Sequence, residues 1–424
     1  MARTYTVKAG DTLNKIAVKY YGSAQKWTDI AKANPQLAGR KTVYDGSPIV
    51  YDGDVLIIPV DSGGSSAVSE SVKLDRDAPQ DLGLKGLGKY FTGFTGYTLV
   101  RSVSGADGFS FSAPWDASKR ALRDAFRPFA YPTFDVYFDD DLVFTGTVMT
   151  PAPSVGPTAQ TITVQGYPLC AVLVDSCLPP SLYPAEYSGL NLKQIAETVC
   201  EPFGVGVVVQ GDVGAAFEKV DVDLGDKVWD FLSKLAEQRG MFLTNTADGL
   251  LLIYRPKVEA VSASFRQGDV PFISCAPEFD SQKMYSHITG YTKTTKDSDS
   301  QKFTYENKLL IKKGVLRCLG QQIDDADGGT LEESVKALAG RMFAECVRYK
   351  LTVSGHRDKN GKVYRKNMAV SVYAPGAEIY RDTMLLADEV TLTRDDSGGE
   401  TTTFALVLPE SRDGSLPEVF PWEE

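Results

Sequence analysis

Between residues 181 and 260 the apolar positions follow two helical repeats and then two short runs of strand-forming residues. The first repeat stops before Pro202 and the second stops at Gly240, because proline and glycine commonly end helices. Asp226 precedes the second repeat, where a carboxylate is a favoured N-cap. These signals predict a compact α/β unit in the middle of the chain.

The first sixty residues show a self-contained order of strand, helix, helix and strand. A short alternating run, Tyr5 to Val7, precedes a helical repeat that starts after Asp11, a favoured N-cap residue. A second repeat stops at Asn34-Pro35, and an apolar strand, Val55 to Ile58, closes the segment. We therefore predict a small βααβ module over residues 1–60.

A strand-rich stretch follows a segment of linker composition. Residues 61–85 are rich in glycine, serine and charged residues, which is typical of a flexible linker. Over residues 86–180 apolar and polar positions alternate with a period of two, and this predicts a first β-barrel-like domain. The alternating runs are Tyr97–Val103, Phe109–Ser112, Thr133–Phe138, Leu142–Val148 and Gln160–Val164.

Residues 261–424 have the same character, with one helix among the strands. A capping box, Thr330 to Glu333, predicts the start of that helix. The predicted strands are Ser286–Lys293, Gln301–Ile311, Lys350–Ser354, Ala369–Tyr373, Leu385–Arg394 and Thr401–Leu408. We predict a second β-barrel-like domain here, so that the chain as a whole is α+β and mainly β.

Composition excludes several classes of protein. A net charge of −10 without a basic run disfavours tight nonspecific nucleic-acid binding, which depends on Lys and Arg neutralising phosphates. No apolar run reaches membrane-spanning length, and the first residues lack the apolar core of a secretion signal. The six cysteines are scattered without a Cys-x-x-Cys pair, which favours reduced, mostly buried thiols. We expect a protein made in a cytoplasm, without a membrane segment.

Candidate chemistry is sparse. The two histidines, His287 and His356, have no Cys or acidic cluster at metal-ligand spacing. The acidic triplet Asp139 to Asp141 suits a solvated hairpin turn better than a cation site. The glycine-rich run before Tyr90 lacks both the hydroxyl and the preceding strand of a phosphate-binding loop. We predict no catalytic residue, no metal and no cofactor.

The first sixty residues resemble a LysM module. The matching residues are Tyr5–Leu13, Ile16-Ala17, Tyr20–Gly22, Ile30, Asn34-Pro35 and Gly53–Pro59. The resemblance implies a shallow groove for N-acetylglucosamine-containing glycans, and its residues here, as glycan- or partner-binding candidates, are Gly10, Asp11, Thr12, Asn34 and Pro35. The connection Gln36 to Tyr51 is longer than the family's usual loop and lies beside that groove. Two roles stay open, peptidoglycan anchor and docking adapter.

The rest of the chain resembles the baseplate hub proteins of Mu-type contractile phage tails, mainly over Tyr97 to Tyr291. The matching segments are Gly166–Asp175, Leu192–Ala196, Cys200–Val205, Val228–Gly240 and Asp248–Ile253. The resemblance implies a structural homotrimer whose six-fold-like ring joins the tail tube to a central spike. Implied partners also include baseplate wedge proteins, the tape measure protein and genomic DNA in transit. The implied location is the virion tail baseplate, after synthesis in the host bacterial cytoplasm.

Two other readings of the sequence stay open. A peptidoglycan hydrolase anchored by a LysM module needs two facing carboxylates, which folding alone can bring together. A cell-wall glycan-binding protein needs a route out of the cell, and the chain shows no export signal. Neither alternative has a motif of its own in this sequence.

Overall fold

The computed structural model is α+β with strands in the majority, as the sequence predicts. It describes residues 3–8, 11–21, 27–41, 47–59, 70–73, 82–87, 89–138, 141–157, 159–292, 300–323, 328–395, 399–412 and 420–423. Within these ranges no helix combines the length and the apolar character needed to cross a membrane.

The N-terminal segment forms the predicted βααβ module. Its elements are β1 (Arg3–Thr6), α1 (Leu13–Tyr21), α2 (Trp27–Ala33) and β2 (Val55–Ile58). β1 and β2 pair antiparallel, and both helices pack their apolar faces on one side of this pair. The module has a core of its own, in which Leu13, Ile30 and Leu56 are fully buried.

The first strand-rich region contains the five predicted strands and three earlier ones. The bounds are β3 (Glu70–Lys73), β4 (Leu82–Gly86), β5 (Lys89–Thr92), β6 (Gly96–Ser102), β7 (Gly108–Pro114), α3 (Arg120–Ala125), β8 (Thr133–Phe138), β9 (Asp141–Val155) and β10 (Gln160–Pro168). β3 and all but the last residue of β4 fall within residues 61–85, the range of linker composition. Leu82 and Leu84 are buried, so the end of that range belongs to the sheet. The glycine-rich run before Tyr90 forms β4 and β5 rather than a loop before a helix.

The middle of the chain is the predicted α/β unit. Its elements are α4 (Val172–Asp175), β11 (Ala185–Leu190), α5 (Leu192–Cys200), β12 (Val207–Gln210), β13 (Phe217–Val222), α6 (Val228–Gln238), β14 (Phe242–Asn245) and β15 (Leu251–Tyr254). β15 lies between β12, parallel to it, and β14, antiparallel to it. α5 and α6 share an apolar core with these strands.

One helix cap in this unit differs from the prediction. The N-cap of α6 is Lys227 and its side chain makes no capping bond, so Asp226 is not the cap. The backbone N–H of Asp226 closes a turn on the carbonyl of Asp223 instead. At the other end Gly240 has the left-handed conformation, and the N–H of Met241 reaches back to the carbonyl of Ala236. This pattern is the Schellman C-terminal cap expected of a glycine.

The last region adds nine strands and two helices. They are β16 (Val261–Arg266), β17 (Phe272–Phe279), β18 (His287–Tyr291), β19 (Lys302–Glu306), α7 (Lys308–Lys312), β20 (Cys318–Gln322), α8 (Gly328–Cys346), β21 (Val347–Ser354), β22 (Ala369–Ala374), β23 (Ile379–Arg394) and β24 (Glu400–Val407). The predicted strand Gln301–Ile311 is wrong in its second half, because the Asn307 side chain caps the short helix α7 there. The predicted capping box is also misplaced, since α8 starts at Gly328, two residues before Thr330.

Two parts of the large sheet repeat the same plan, which the sequence did not reveal. Module A, defined as β6 to β10, has the order β6-β7-β10-β9-β8, and module B, defined as β17 and β21 to β24, has the order β17-β21-β24-β23-β22. All neighbours within each module are antiparallel. The longest strand of each module, β9 in module A and β23 in module B, carries a β-bulge at the same place. Met149 of β9 has no partner in the ladder to β10, and Asp388 of β23 has no partner in the ladder to β24.

The two modules join edge to edge. β23 pairs antiparallel with β6 from Glu389 opposite Ser102 to Arg394 opposite Tyr97. Fourteen strands thereby form one continuous sheet, and one apolar cluster extends through both modules. The two barrel-like regions are therefore joined through both backbone and core.

Candidate functional site

The groove residues that the LysM resemblance implies have internal partners. The Asp11 carboxylate accepts hydrogen bonds from the Tyr5 hydroxyl at 2.6 Å and from the backbone N–H of Lys8 at 2.8 Å. The Thr12 hydroxyl accepts a hydrogen bond from the backbone N–H of Lys15 at 3.3 Å, so Thr12 rather than Asp11 caps α1. Gly10 lies outside the described residues. Both described side chains thus stabilise the turn that precedes α1.

Asn34 and Pro35 lie at the end of α2. The Asn34 side chain is fully buried, donates to the carbonyls of Ile30 and Ile57, and accepts from the Ile57 N–H at 2.7 Å. It therefore ties α2 to the outer edge of β2. Pro35 is exposed and starts a short 3-10 turn. Unlike the side chains of Asp11, Thr12 and Asn34, the exposed side chain of Pro35 makes no hydrogen bond within the module.

In the described part of the long connection beside this groove, Arg40 makes several contacts. Arg40 forms an ion pair with Asp54 and donates to the carbonyl of Ile49 at 3.2 Å. Its guanidinium also lies 5.2 Å from the ring centroid of Tyr51. The pKa of Asp54 is lowered, chiefly by the hydrogen bond from Arg40. Tyr51, Val55 and Ile57 expose apolar surface next to this connection.

The acidic run of the α/β unit lines a cleft of about 480 Å³ against β20 and α8. Asp221, Asp223 and Asp226 contribute carboxylates, whereas Lys219 and Arg341 contribute cations. Lys219 lies 3.7 Å from Asp221, which partly neutralises the run. Within the described ranges, no group of three or more His, Cys, Asp or Glu side chains is arranged to hold a metal ion. The cleft is a mixed-charge surface rather than an ion site.

The histidines serve packing. His356 is buried, and its Nδ1 lies 3.0 Å from the Thr402 hydroxyl between the rings of Tyr97 and Phe138. Burial lowers the pKa of His356 to about 4, with Arg357 and Arg394 adding to the effect. His287 is half-buried at the start of β18, and its Nδ1 lies 2.9 Å from the Ser286 hydroxyl. Neither histidine is part of a catalytic arrangement in the described chain.

A buried polar junction surrounds Asp107, and no motif in the sequence indicates it. Its carboxylate lies 2.8 Å from the Lys366 ammonium and 3.2 Å from the Asn245 amide, and its own N–H donates to Asn245. Lys366 also contacts the Thr244 hydroxyl, which in turn donates to the carbonyl of Ser102. Burial lowers the pKa of Lys366, and the nearby Asp107 opposes that effect. The junction links module A, the α/β unit and module B.

Comparison with known proteins finds similarity in both parts of the chain. Residues 170–255 match the family model described as "Baseplate hub protein gp44-like, second domain", and residues 5–52 match the LysM domain. The chain is 23% identical over 341 residues to the baseplate hub protein gp44 of Escherichia phage Mu, covering 77% of this chain and 87% of that relative.

Two solved structures share the fold. The 43 kDa tail protein of prophage MuSo2 from Shewanella oneidensis is 24% identical, with a TM-score of 0.65, and the match covers 79% of this chain and 99% of that one. A tail protein from Neisseria meningitidis MC58 is 18% identical, also with a TM-score of 0.65, and the match covers 79% and 98%. The fold of most of the chain is therefore that of tail proteins.

Proposed function

We propose that the chain is a structural baseplate hub protein of a phage virion tail, and that three copies of it form a ring that joins the tail tube to a central spike. The repetition of modules A and B within one chain carries this proposal. Three copies of a two-module chain place six similar modules around one axis. Such a ring suits a six-fold tube on one side and a three-fold spike on the other.

The difference between the modules supports a three-fold lower side. Residues 280–346, between β17 and β21, contain β18 to β20, α7 and α8, whereas β6 and β7 are joined by residues 103–107. The long insertion occurs once per chain and therefore three times per ring. We assign it to the three-fold side of the hub.

The ring proposal is tested by light scattering and by negative-stain imaging of the purified chain. We expect a trimer and particles with a three-fold outline. A chain that is monomeric at every concentration, and that binds neither spike nor tube, contradicts the proposal.

Further partners follow from this position in the tail. Baseplate wedge proteins surround the hub, the tape measure protein reaches it from the tube, and genomic DNA passes through the lumen without a stable complex. The net charge of −10 supports transit rather than binding, because phosphates are repelled by an acidic protein.

For the LysM module we propose the role of docking adapter to a wedge protein. The groove residues Asp11 and Asn34 are engaged in internal hydrogen bonds. In contrast, β2 turns Val55 and Ile57 outward, with exposed fractions of 57% and 43%, and exposed apolar surface of this kind suits a protein partner.

A pull-down distinguishes the two roles of the LysM module. The full chain and its Val55→Ser, Ile57→Ser variant are incubated with the wedge proteins of the same tail and, separately, with purified peptidoglycan. We expect the chain to retain a wedge protein and the variant to lose it. Retention on peptidoglycan by both chains, without wedge binding, favours the anchor role instead.

A further inference from the structure

The pairing of β23 with β6 shows how two modules can join edge to edge. Val103 donates its N–H to the carbonyl of Asp388 at 2.9 Å, and Glu389 is the next residue, opposite Ser102. Because hydrogen-bonded pairs alternate along antiparallel strands, Val390, Leu392 and Arg394 turn their N–H and C=O groups toward β6. The second half of β23 is thus covered on both edges, by β24 and by β6.

The same half of β9 in module A has one edge uncovered. Its residues beyond the bulge pair with β10, and within the described ranges no strand pairs with their other edge. Counting from the equivalent bulges at Met149 and Asp388, Pro151, Pro153 and Val155 take the places of Val390, Leu392 and Arg394. The Val155 side chain is 69% exposed.

The complementary edge belongs to β17, the counterpart of β6. In the described chain β17 pairs only with β21, and its Phe279 side chain is 48% exposed. Cys275 lies opposite Leu351 as Tyr97 lies opposite Phe111, so the two strands can be aligned. Cys275, Pro277 and Phe279 then take the places of Tyr97, Leu99 and Arg101.

We propose that the uncovered edge of β9 binds β17 of a second copy in the register of the β23–β6 ladder. This inference rests on the ring proposed above and names its contact. Val155 then lies opposite Cys275 of the second copy, Pro153 opposite Pro277, and Pro151 opposite Phe279. The contact repeats head to tail, as a heterologous interface must if it is to close a ring.

Prolines remove hydrogen bonds from the proposed β9–β17 ladder at particular pairs of opposite residues, the rungs of the ladder. Proline has no N–H, so the central rung, Pro153 with Pro277 of the second copy, forms no hydrogen bond. The Pro151 rung keeps one hydrogen bond and the Val155 rung keeps both. Proline at a sheet edge also hinders pairing with unrelated strands. The contact between copies is therefore weaker than the β23–β6 ladder but more selective than an open edge.

The register is tested by a single substitution, Val155→Cys, which pairs with the natural Cys275 of the second copy. Directly opposite residues lie within the Cα separation that a disulfide spans. After mild oxidation we expect covalently linked chains on a non-reducing gel. The matched control, Val155→Cys with Cys275→Ser, removes the link while the exposed Cys318 remains.

A second variant tests the proline rungs. Pro153→Val with Pro277→Val restores two donors per contact and is expected to lower the dissociation midpoint of the trimer at least about tenfold. The control Pro114→Val frees an N–H at the end of β7, away from this contact, and leaves the midpoint unchanged. Analytical ultracentrifugation measures both variants, and circular dichroism confirms their folding.

The outcomes separate this contact from the ring itself. The chain can form a trimer while its Val155→Cys variant forms no Cys275-dependent link and the proline changes leave the dissociation midpoint unchanged. That result overturns the β9–β17 contact but is compatible with the ring. A chain that is monomeric throughout, with no link, overturns the ring and the contact together.

Discussion

Modules A and B use one strand plan in two different settings. Each has the same order of five antiparallel strands and a bulge in its longest strand. Their long strands nevertheless differ beyond the bulge, because β23 is covered by β6 whereas the matching half of β9 is exposed on that side. At equivalent positions Leu392 is fully buried and Pro153 is exposed.

This difference shows that the residue type on a strand edge depends on whether a neighbouring strand covers that edge, rather than on the strand order of the module. Leucine at position 392 supplies a ladder donor and apolar volume to a covered strand. Proline at position 153 has no N–H to donate, and its exposed ring adds nothing to the core. It therefore suits a strand edge that must not pair with unrelated strands. The same backbone plan therefore tolerates opposite sequence signals, which is one reason why the repeat is hidden in the sequence.

The largest effect is expected from breaking the polar junction around Asp107, which links the two modules and the α/β unit. Asp107→Ala leaves Lys366 buried without its carboxylate and is expected to lower the free energy of unfolding by about 4 kcal/mol. Chemical denaturation measures the loss, and the exposed Asp124→Ala serves as control. A loss below that of the control means that the junction does not connect the three units.

The paired long-strand substitutions test the comparison directly. Leu392→Ala is expected to destabilise the chain by about 3 kcal/mol, because it leaves a cavity in the shared core. Pro153→Ala, at the equivalent position, is expected to stay within about 0.5 kcal/mol of the natural chain. Thermal melts of the two variants side by side check the contrast. Equal losses would show that the two strand halves have similar surroundings.

A pH dependence is expected from His356, which lies between β21 and β22 in the chain, is buried, and packs against Tyr97 and Phe138. The pKa of His356 in the folded chain, about 4, lies below its ordinary value of 6.5. Its contribution to stability is complete above pH 6.5 and is lost as the pH falls toward 4.

The measurement is denaturant unfolding at pH 7 and pH 5. Replacement of His356 by Gln should reduce the difference between the two by about 2 kcal/mol. If His356→Gln leaves it unchanged, another group controls the pH response.

The smallest effect concerns the two bulges. Asp388 pairs with the buried Arg412 at 2.8 Å but is itself one-fifth exposed, so Asp388→Ala is expected to cost about 1.5 kcal/mol. Met149→Ala, at the equivalent bulge, removes no ion pair and is expected to cost less. Denaturation midpoints of the two variants rank the bulges, and the reverse order contradicts the role given to Arg412.

The alternation of apolar and polar residues predicted the strands that have one face on the core and the other face toward solvent. Among the strands of module A, β7 and β8 bury every second residue without exception, because one face covers the core. β12 and β20 lack that alternation, and β17 shows only a weak form of it, so their pattern carried little signal. The misassigned cap at Asp226 reflects a competition between helix and turn that depends on the neighbouring backbone.

The polar junction could not have been found by motif. Asp107 follows Gly105-Ala106 in an ordinary turn, and its partners Asn245 and Lys366 are 138 and 259 residues away. The LysM candidates were easier to locate because the module's residues are consecutive. Their hydrogen bonds still had to be seen, since Thr12 rather than the predicted Asp11 caps α1.

The β23–β6 ladder has a kinetic consequence for assembly. Because it forms within one chain, its two strands meet at an effective concentration set by the tether rather than by the number of molecules in the cell. In the proposed ring of three chains, half of the contacts between modules would already be complete when a chain has folded. Only the remaining half wait for encounters, and these can be slow and selective without delaying the first half.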